Sequence, residues 1–206
     1  MPTPTASPQV ASTVGLKNVV IAPLTADTET EHTYGELQLM AGAIEASITP
    51  ENADPDVQYA DDIEFDTLYP DPELTFSTSM ADIPLAIQEM IFGNQIDDNG
   101  VLIRSANDKP GYFAVGFMSE KANGKYRYVW LYKVRAKPVT ESYATKEGTT
   151  ITRQTGEVEW TAIKRTSDGR YQAIADEGEG GFDSSKAATF LESVYSPTFT
   201  PEEDGP

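Results

Sequence analysis

The residues in this chain that stand densely enough to do chemistry are carboxylates. Nine of them fall between Glu51 and Glu73: Glu51, Asp54, Asp56, Asp61, Asp62, Glu64, Asp66, Asp71 and Glu73. Such density suits a hard cation, and Gln95-Ile96-Asp97-Asp98-Asn99-Gly100 comes nearest to a calcium-binding loop. The match fails at both ends. Gln95 stands at the first ligand position, and Ala106 stands where a bidentate Glu must close the loop, so no metal site is expected. Acid pairs also serve glycoside hydrolysis, but any acidic β protein offers them and no aromatic sugar platform stands out. The single histidine, His32, sits in the polar stretch TADTETEHTYGE without a partner of the right type, and reads as exposed or locally bonded. With no cysteine, thiolate chemistry and disulfides are excluded, and there is no G-x-S-x-G. Gly178, Gly180 and Gly181 do not complete a dinucleotide fingerprint, because Asp183 stands where the third glycine belongs. The expectation is a protein without enzymatic activity and without a cofactor.

Composition narrows the class further. A chain of 206 residues, 39% hydrophobic, can build one sizeable core. Its net charge of −18 is uneven: residues 1–100 hold 18 acids and one base, Lys17, whereas residues 101–206 hold 15 acids and 14 bases. A surface of this kind repels phosphates, which disfavours nucleic-acid reading. No apolar run approaches the roughly 20 residues that span a bilayer, and MPTPTASPQVASTVG lacks the basic and apolar regions of a secretion signal. The expected product is soluble, with no membrane contact and no export by that route.

The elements that must position these residues read mainly as strands. Residues 1–15, rich in Pro and Thr, form an expected flexible arm, and GLKNVVIAPL a short strand that Pro23 ends or places at an edge. Leu37 to Ile48 reads as a strand, with a helix as the less favoured alternative, residues 49–72 as an extended acidic loop or hairpin, and 73–80 as a strand with one wet face, Glu73, Thr75, Ser77 and Ser79. Asp82 to Phe92 predicts a helix capped by Asp82 and ended by Gly93, with Ile83, Ile87, Met90 and Ile91 as its stripe. Thr149 to Ile163 alternates again, with Thr155, Glu157, Glu159 and Thr161 on the wet side; Asp168-Gly169 centres a turn. Residues 184–195 predict a terminal helix with Ala187, Phe190, Leu191 and Val194 inward, and 196–206 a C-terminal tail.

Residues 111–137 predict a long hairpin turning at Asn123-Gly124, the dipeptide suited to a two-residue type I′ turn. That turn sets Ala122 opposite Lys125. It places Phe113, Val115 and Phe117 on a core face with Val134, Tyr132 and Trp130, and leaves Arg127, Val129, Leu131, Lys133 and Arg135 on the other. Beside the charge asymmetry, this second face reads as half of a subunit contact. Its cations are expected to meet the acidic first half of a neighbouring copy.

GLKNVVIAPL, AGAIEASITP, YADD, LAIQEMIFG followed by DDNGVL, and above all KANGKYRYVWLYKV occur in this order. Together they resemble the major tail protein, or tail tube protein, of long-tailed siphophages over about residues 15–183. The resemblance implies a β-sandwich or barrel of two packed sheets flanked by one α-helix, here residues 16–195 between the two arms. It implies six copies per ring, stacked rings, sheets joined edge to edge around a lumen, a place in the virion tail after assembly in the host cytoplasm, and passage of DNA without specific binding. Tape-measure, tail-tip and tail-terminator proteins are the implied partners. Lumen candidates are then Glu73, Thr75, Ser77, Ser79, Glu157 and Glu159; inter-subunit candidates are Asp54, Asp56, Asp61, Asp62 and Glu64 with Arg127, Val129, Leu131, Lys133 and Arg135. The acidic segment would reach an adjacent ring, toward the basic hairpin or residues 137–146. The competing reading from another class is a β-sandwich module that binds glycans or a host receptor.

Overall fold

The computed structural model describes residues 10–51, 56–60, 63–68, 73–138, 145, 155–179 and 181–199, with 56–60 and 63–68 as backbone. In chain order the elements are β1 (Thr13–Asp27), β2 (His32–Tyr34), β3 (Gln38–Leu39), β4 (Ala43–Glu51), β5 (Asp56–Ala60), β6 (Ile63–Leu68) and β7 (Glu73–Met80). There follow α1 (Leu85–Phe92), β8 (Gln95–Ile96), β9 (Leu102–Ile103), β10 (Phe113–Lys121), β11 (Tyr126–Ala136), β12 (Gly156–Ala162) and β13 (Gln172–Asp176). The fold is mainly β and flanked by one helix, as expected. Nine strands form one sheet in the order β2-β1-β10-β11-β12-β7-β4, with β13 beside β11 and β3 beside β1; β5 and β6 make a separate two-stranded sheet, as do β8 and β9.

The long sheet cannot be flat. β7 and β10 are three strand positions apart, about 14 Å at ordinary strand spacing. Yet the rings of Phe76 on β7 and Phe117 on β10 stack with centroids 5.8 Å apart. The sheet therefore curls until both branches share one core, built from Val19, Ile21, Phe76, Phe113, Val115, Phe117, Val129, Leu131, Val134, Val158 and Trp160. α1 closes it with Ile87, Ile91 and Phe92. Its N-cap is Pro84, and the Asp82 carboxylate accepts from the Ile83 N–H instead of capping the helix. Gly93 ends the helix at φ +70°, and a Cβ there would come within 2.6 Å of the Lys109 carbonyl oxygen, so only glycine fits.

The β10–β11 hairpin departs from the two-residue turn. The Lys121 N–H donates to the Lys125 carbonyl, and the Gly124 N–H, from a residue at φ +77°, to the Lys121 carbonyl. The loop is thus Ala122-Asn123-Gly124, a three-residue turn with glycine in the left-handed position. Its register pairs Gly116 with Trp130 and Phe117 with Val129. Farther along, Val115 pairs with Leu131 but Phe113 with Val134, so Ala114 opposes both Tyr132 and Lys133 in a β-bulge. One residue of slip exchanges the faces of a strand. Hence Val129 and Leu131 point into the main core, while Tyr128, Trp130 and Tyr132 point the opposite way; after the bulge, Val134 and Ala136 point inward again. The expectation that Trp130 and Tyr132 join the Phe113 face is corrected, and that for Val134 holds.

Trp130 and its neighbours build a second apolar layer on the outer face. Residues 182–195 cover it: the Trp130 indole N–H donates to the Phe190 carbonyl at 3.0 Å, and the Phe190 ring packs on Tyr128 and Tyr195 at 5.2 and 4.9 Å. The predicted terminal helix is not formed; only Ser184–Lys186 makes a short 3-10 turn. In a continuing helix the Phe190 carbonyl would accept from the chain four residues on, and here the indole takes it. Gly116 lies flush against the same indole, where a Cβ would come within 2.8 Å of the ring. β1 is longer than expected, running through Pro23, and residues 37–48 divide into β3 and β4 at Gly42, φ +84°.

Trp130→Ala is expected to cost about 3–5 kcal/mol in chemical denaturation. Val129→Asp or Leu131→Asp places a carboxylate in the main core. Either is expected to remove the folded state, read as loss of near-ultraviolet circular dichroism, rather than to weaken association of a folded chain.

Candidate functional surface

Four strands bring one polar face together. β7 pairs with β12 on one side and with β4 on the other. The registers set Glu157, Ser79 and Glu45 in one row, Glu159, Ser77 and Ser47 in the next, and Thr161, Thr75 and Thr49 in a third, with Glu73 opposite Glu51 at the end. β11 extends the third row with Arg135, opposite Thr161, and Lys137 ion-pairs with Glu159. The alternating residues Phe76, Thr78, Val158 and Trp160 are buried. Strand alternation thus produces a wall of hydroxyls and carboxylates directly over the core. Thr75 donates to Glu51 at 2.7 Å.

All six lumen candidates therefore lie on this wall: Glu73, Thr75, Ser77 and Ser79 from β7, and Glu157 and Glu159 from β12. The β4 contribution, Glu45, Ser47, Thr49 and Glu51, was not among them. Its signal is the same alternation, from Glu45 to Glu51, obscured by the small residues before it.

The inter-subunit candidates scatter. Val129 and Leu131 are core residues, 5% and 0% exposed, which removes them from any outer face. Arg127 and Lys133 are held within the chain. Asp176, itself buried, accepts from Arg127 at 2.9 Å, from Lys121 at 2.8 Å and from the Gly178 N–H at 2.8 Å. Asp27 accepts from Lys133 at 2.6 Å and from the Thr166 N–H and hydroxyl at 3.0 and 2.9 Å. Arg135 alone of these cations stands on the wall, its guanidinium 5.4 Å from the Tyr112 ring centre. Asp54, Asp61 and Asp62 lie outside the described residues; Asp56 and Glu64 belong to β5 and β6, which pair antiparallel.

The histidine is bonded across the fold rather than locally, His32 Nδ1 lying 2.9 Å from the Ser167 hydroxyl. Asp97 and Gly100 form a tight turn in which the carboxylate accepts from the Asn99 and Val101 N–H groups. Among the described residues, no three His, Asp or Glu side chains converge as a metal site, and no helix is long and apolar enough to cross a membrane.

Among the described residues this is a mainly β protein with a broad polar wall and an unpaired edge at β4. The sequence matches the phage tail tube protein family over residues 12–197, and the chain belongs to that family. It is accordingly a non-enzymatic structural protein of the virion tail that self-assembles into tubes. No curated protein matches the chain.

Burial pushes the Asp27 and Asp176 carboxyls up, but the hydrogen bonds from Lys133 and Thr166, and from Lys121, Gly178 and Arg127, outweigh it and hold both at about 2 against an ordinary 3.8. A depressed carboxylate contributes stability that is complete above its unfolded value and lost as pH falls through the folded one. The melting temperature is therefore expected to fall between pH values of about 4 and 2. Asp176→Asn and Asp27→Asn should each lower it near neutrality and flatten that acid limb in thermal melts, since the titrating group is gone.

Proposed function

We propose that copies of this chain close into hexameric rings, that the rings stack into the tail tube, and that the β12-β7-β4 wall faces the lumen through which the genome leaves. The wall itself is the observation that carries this reading. It presents Glu45, Glu51, Glu73, Glu157 and Glu159 against Arg135 and Lys137, with serine and threonine between them. An acidic surplus repels the phosphates of passing DNA, where a lysine-rich lining would hold them by counterion release. β4 has β7 on one side and no ladder partner on the other among the described residues, and a neighbouring sheet would satisfy that edge. The acidic β5–β6 hairpin reaches toward the adjacent ring. Tape-measure, tail-tip and terminator proteins complete the tail, and assembly proceeds in the host cytoplasm.

Negative-stain micrographs of concentrated protein are expected to show hollow tubes, and a reconstruction to place Glu157, Ser77 and Glu45 on the inner wall. Their appearance on the outer surface would refute the lumen assignment. Deleting residues 52–66 should leave a folded monomer that no longer stacks, measured by sedimentation. In tubes carrying Glu157→Lys and Glu159→Lys, DNA release should slow.

A further inference from the structure

Two exposed turns of this chain set asparagine before glycine, Asn99-Gly100 and Asn123-Gly124. That dipeptide is the least hindered setting for a reaction of the backbone on a side chain. The glycine amide nitrogen attacks the asparagine Cγ, the side-chain nitrogen leaves as ammonia and a succinimide ring closes; water then opens the ring to aspartate or, on its other side, to isoaspartate. A Cβ on the second residue obstructs the attack. At both glycines that space is empty, with nothing within 4 Å of where a Cβ would stand. In both turns the attacking N–H is held by a backbone carbonyl at 2.9 Å, that of Gly100 by Asp97 and that of Gly124 by Lys121, so neither turn has an advantage there.

The side chains differ. Asn123 Oδ1 accepts from the Lys125 N–H at 3.1 Å, a donor standing where negative charge gathers on the oxygen as the nitrogen adds to the carbon. Its leaving nitrogen is held by no partner among the described residues. Asn99 is bound the other way round. Its Nδ2, the leaving group, donates to Asp97 Oδ2 at 3.3 Å, and no donor reaches its Oδ1 among the described residues. Asn99 also directly follows Asp97 and Asp98, whose carboxylates oppose the charge of the intermediate, whereas Asn123 stands between Lys121 and Lys125.

We infer that Asn123 is a site of spontaneous modification, converting through the succinimide to aspartate and isoaspartate ahead of Asn99. The isoaspartyl form carries the main chain through the former side chain and lengthens the loop by one methylene. The hairpin tip is where a longer loop undoes most. The Ala122 N–H donates to the Ser12 carbonyl at 2.8 Å, and Lys121 pairs with the buried Asp176. Both ties depend on the spacing of the three-residue turn. A finished virion makes no new copies of its proteins, so the product accumulates with age.

The full chain, incubated in mildly alkaline buffer with and without guanidinium chloride and then digested for mass spectrometry, tests the inference. In the folded chain the fragment holding Asn123 is expected to gain about 1 Da several-fold faster than the fragment holding Asn99. In denaturant the two rates are expected to draw together, because the Lys125 N–H no longer sits on Oδ1. Conversion of Asn99 first, no conversion of Asn123 in the folded chain, or a ratio indifferent to denaturant overturns the inference. Asn123→Asp supplies a second measurement, since it carries the new charge without the extra methylene. The isoaspartyl chain is expected to melt below Asn123→Asp; equal melting temperatures would overturn the role given to loop length.

Discussion

The structure depends on one mismatch between neighbouring strands: Ala114 of β10 faces two residues, Tyr132 and Lys133, of β11. Before that bulge, β11 turns Val129 and Leu131 into the main core and pairs with β13. After it, the strand turns Val134 and Ala136 inward and pairs with β12. A single strand thereby feeds two branches of the sheet, and the branch that carries the polar wall begins where the parity changes. Bulges bend and twist the strand that holds them, which is what a sheet needs in order to close over its own core.

Charge is distributed along the same division. Around the bulge and the hairpin tip, carboxylates and cations are matched within the chain: Asp27 with Lys133, Asp176 with Lys121 and Arg127. These pairs tie the ends of β1, β10, β11 and β13 together, and their depressed carboxyl pKa values follow from that. On the wall, by contrast, glutamates outnumber cations, and Glu51 directly opposes Glu73. Of the acids in the first half of the chain, Glu45, Glu51 and Glu73 stand on this wall.

Much of this was legible in the sequence for reasons of periodicity. The wet rows of β7 and β12, the helix ended by Gly93 and the long hairpin follow from alternation and from the backbone needs of glycine. What escaped was parity. Asn123-Gly124 fits a two-residue turn as well as a three-residue one, and the choice moves every later side chain to the other face. Nothing local announces the bulge at Tyr132-Lys133, which compensates for the turn and rescues the placement of Val134. The C-terminal segment shows the same limit. Phe190, Leu191 and Val194 do pack inward, but the Phe190 carbonyl accepts from the indole of a residue sixty positions earlier, Trp130, a partner no local pattern announces.

The two tryptophans occupy different apolar layers, Trp160 the main core and Trp130 the outer one, and β11 lends alternate side chains to both. Loss of order in β11 would therefore empty both layers at once. The shared strand couples the two layers, while the outer one depends in addition on residues 182–195, which cover it.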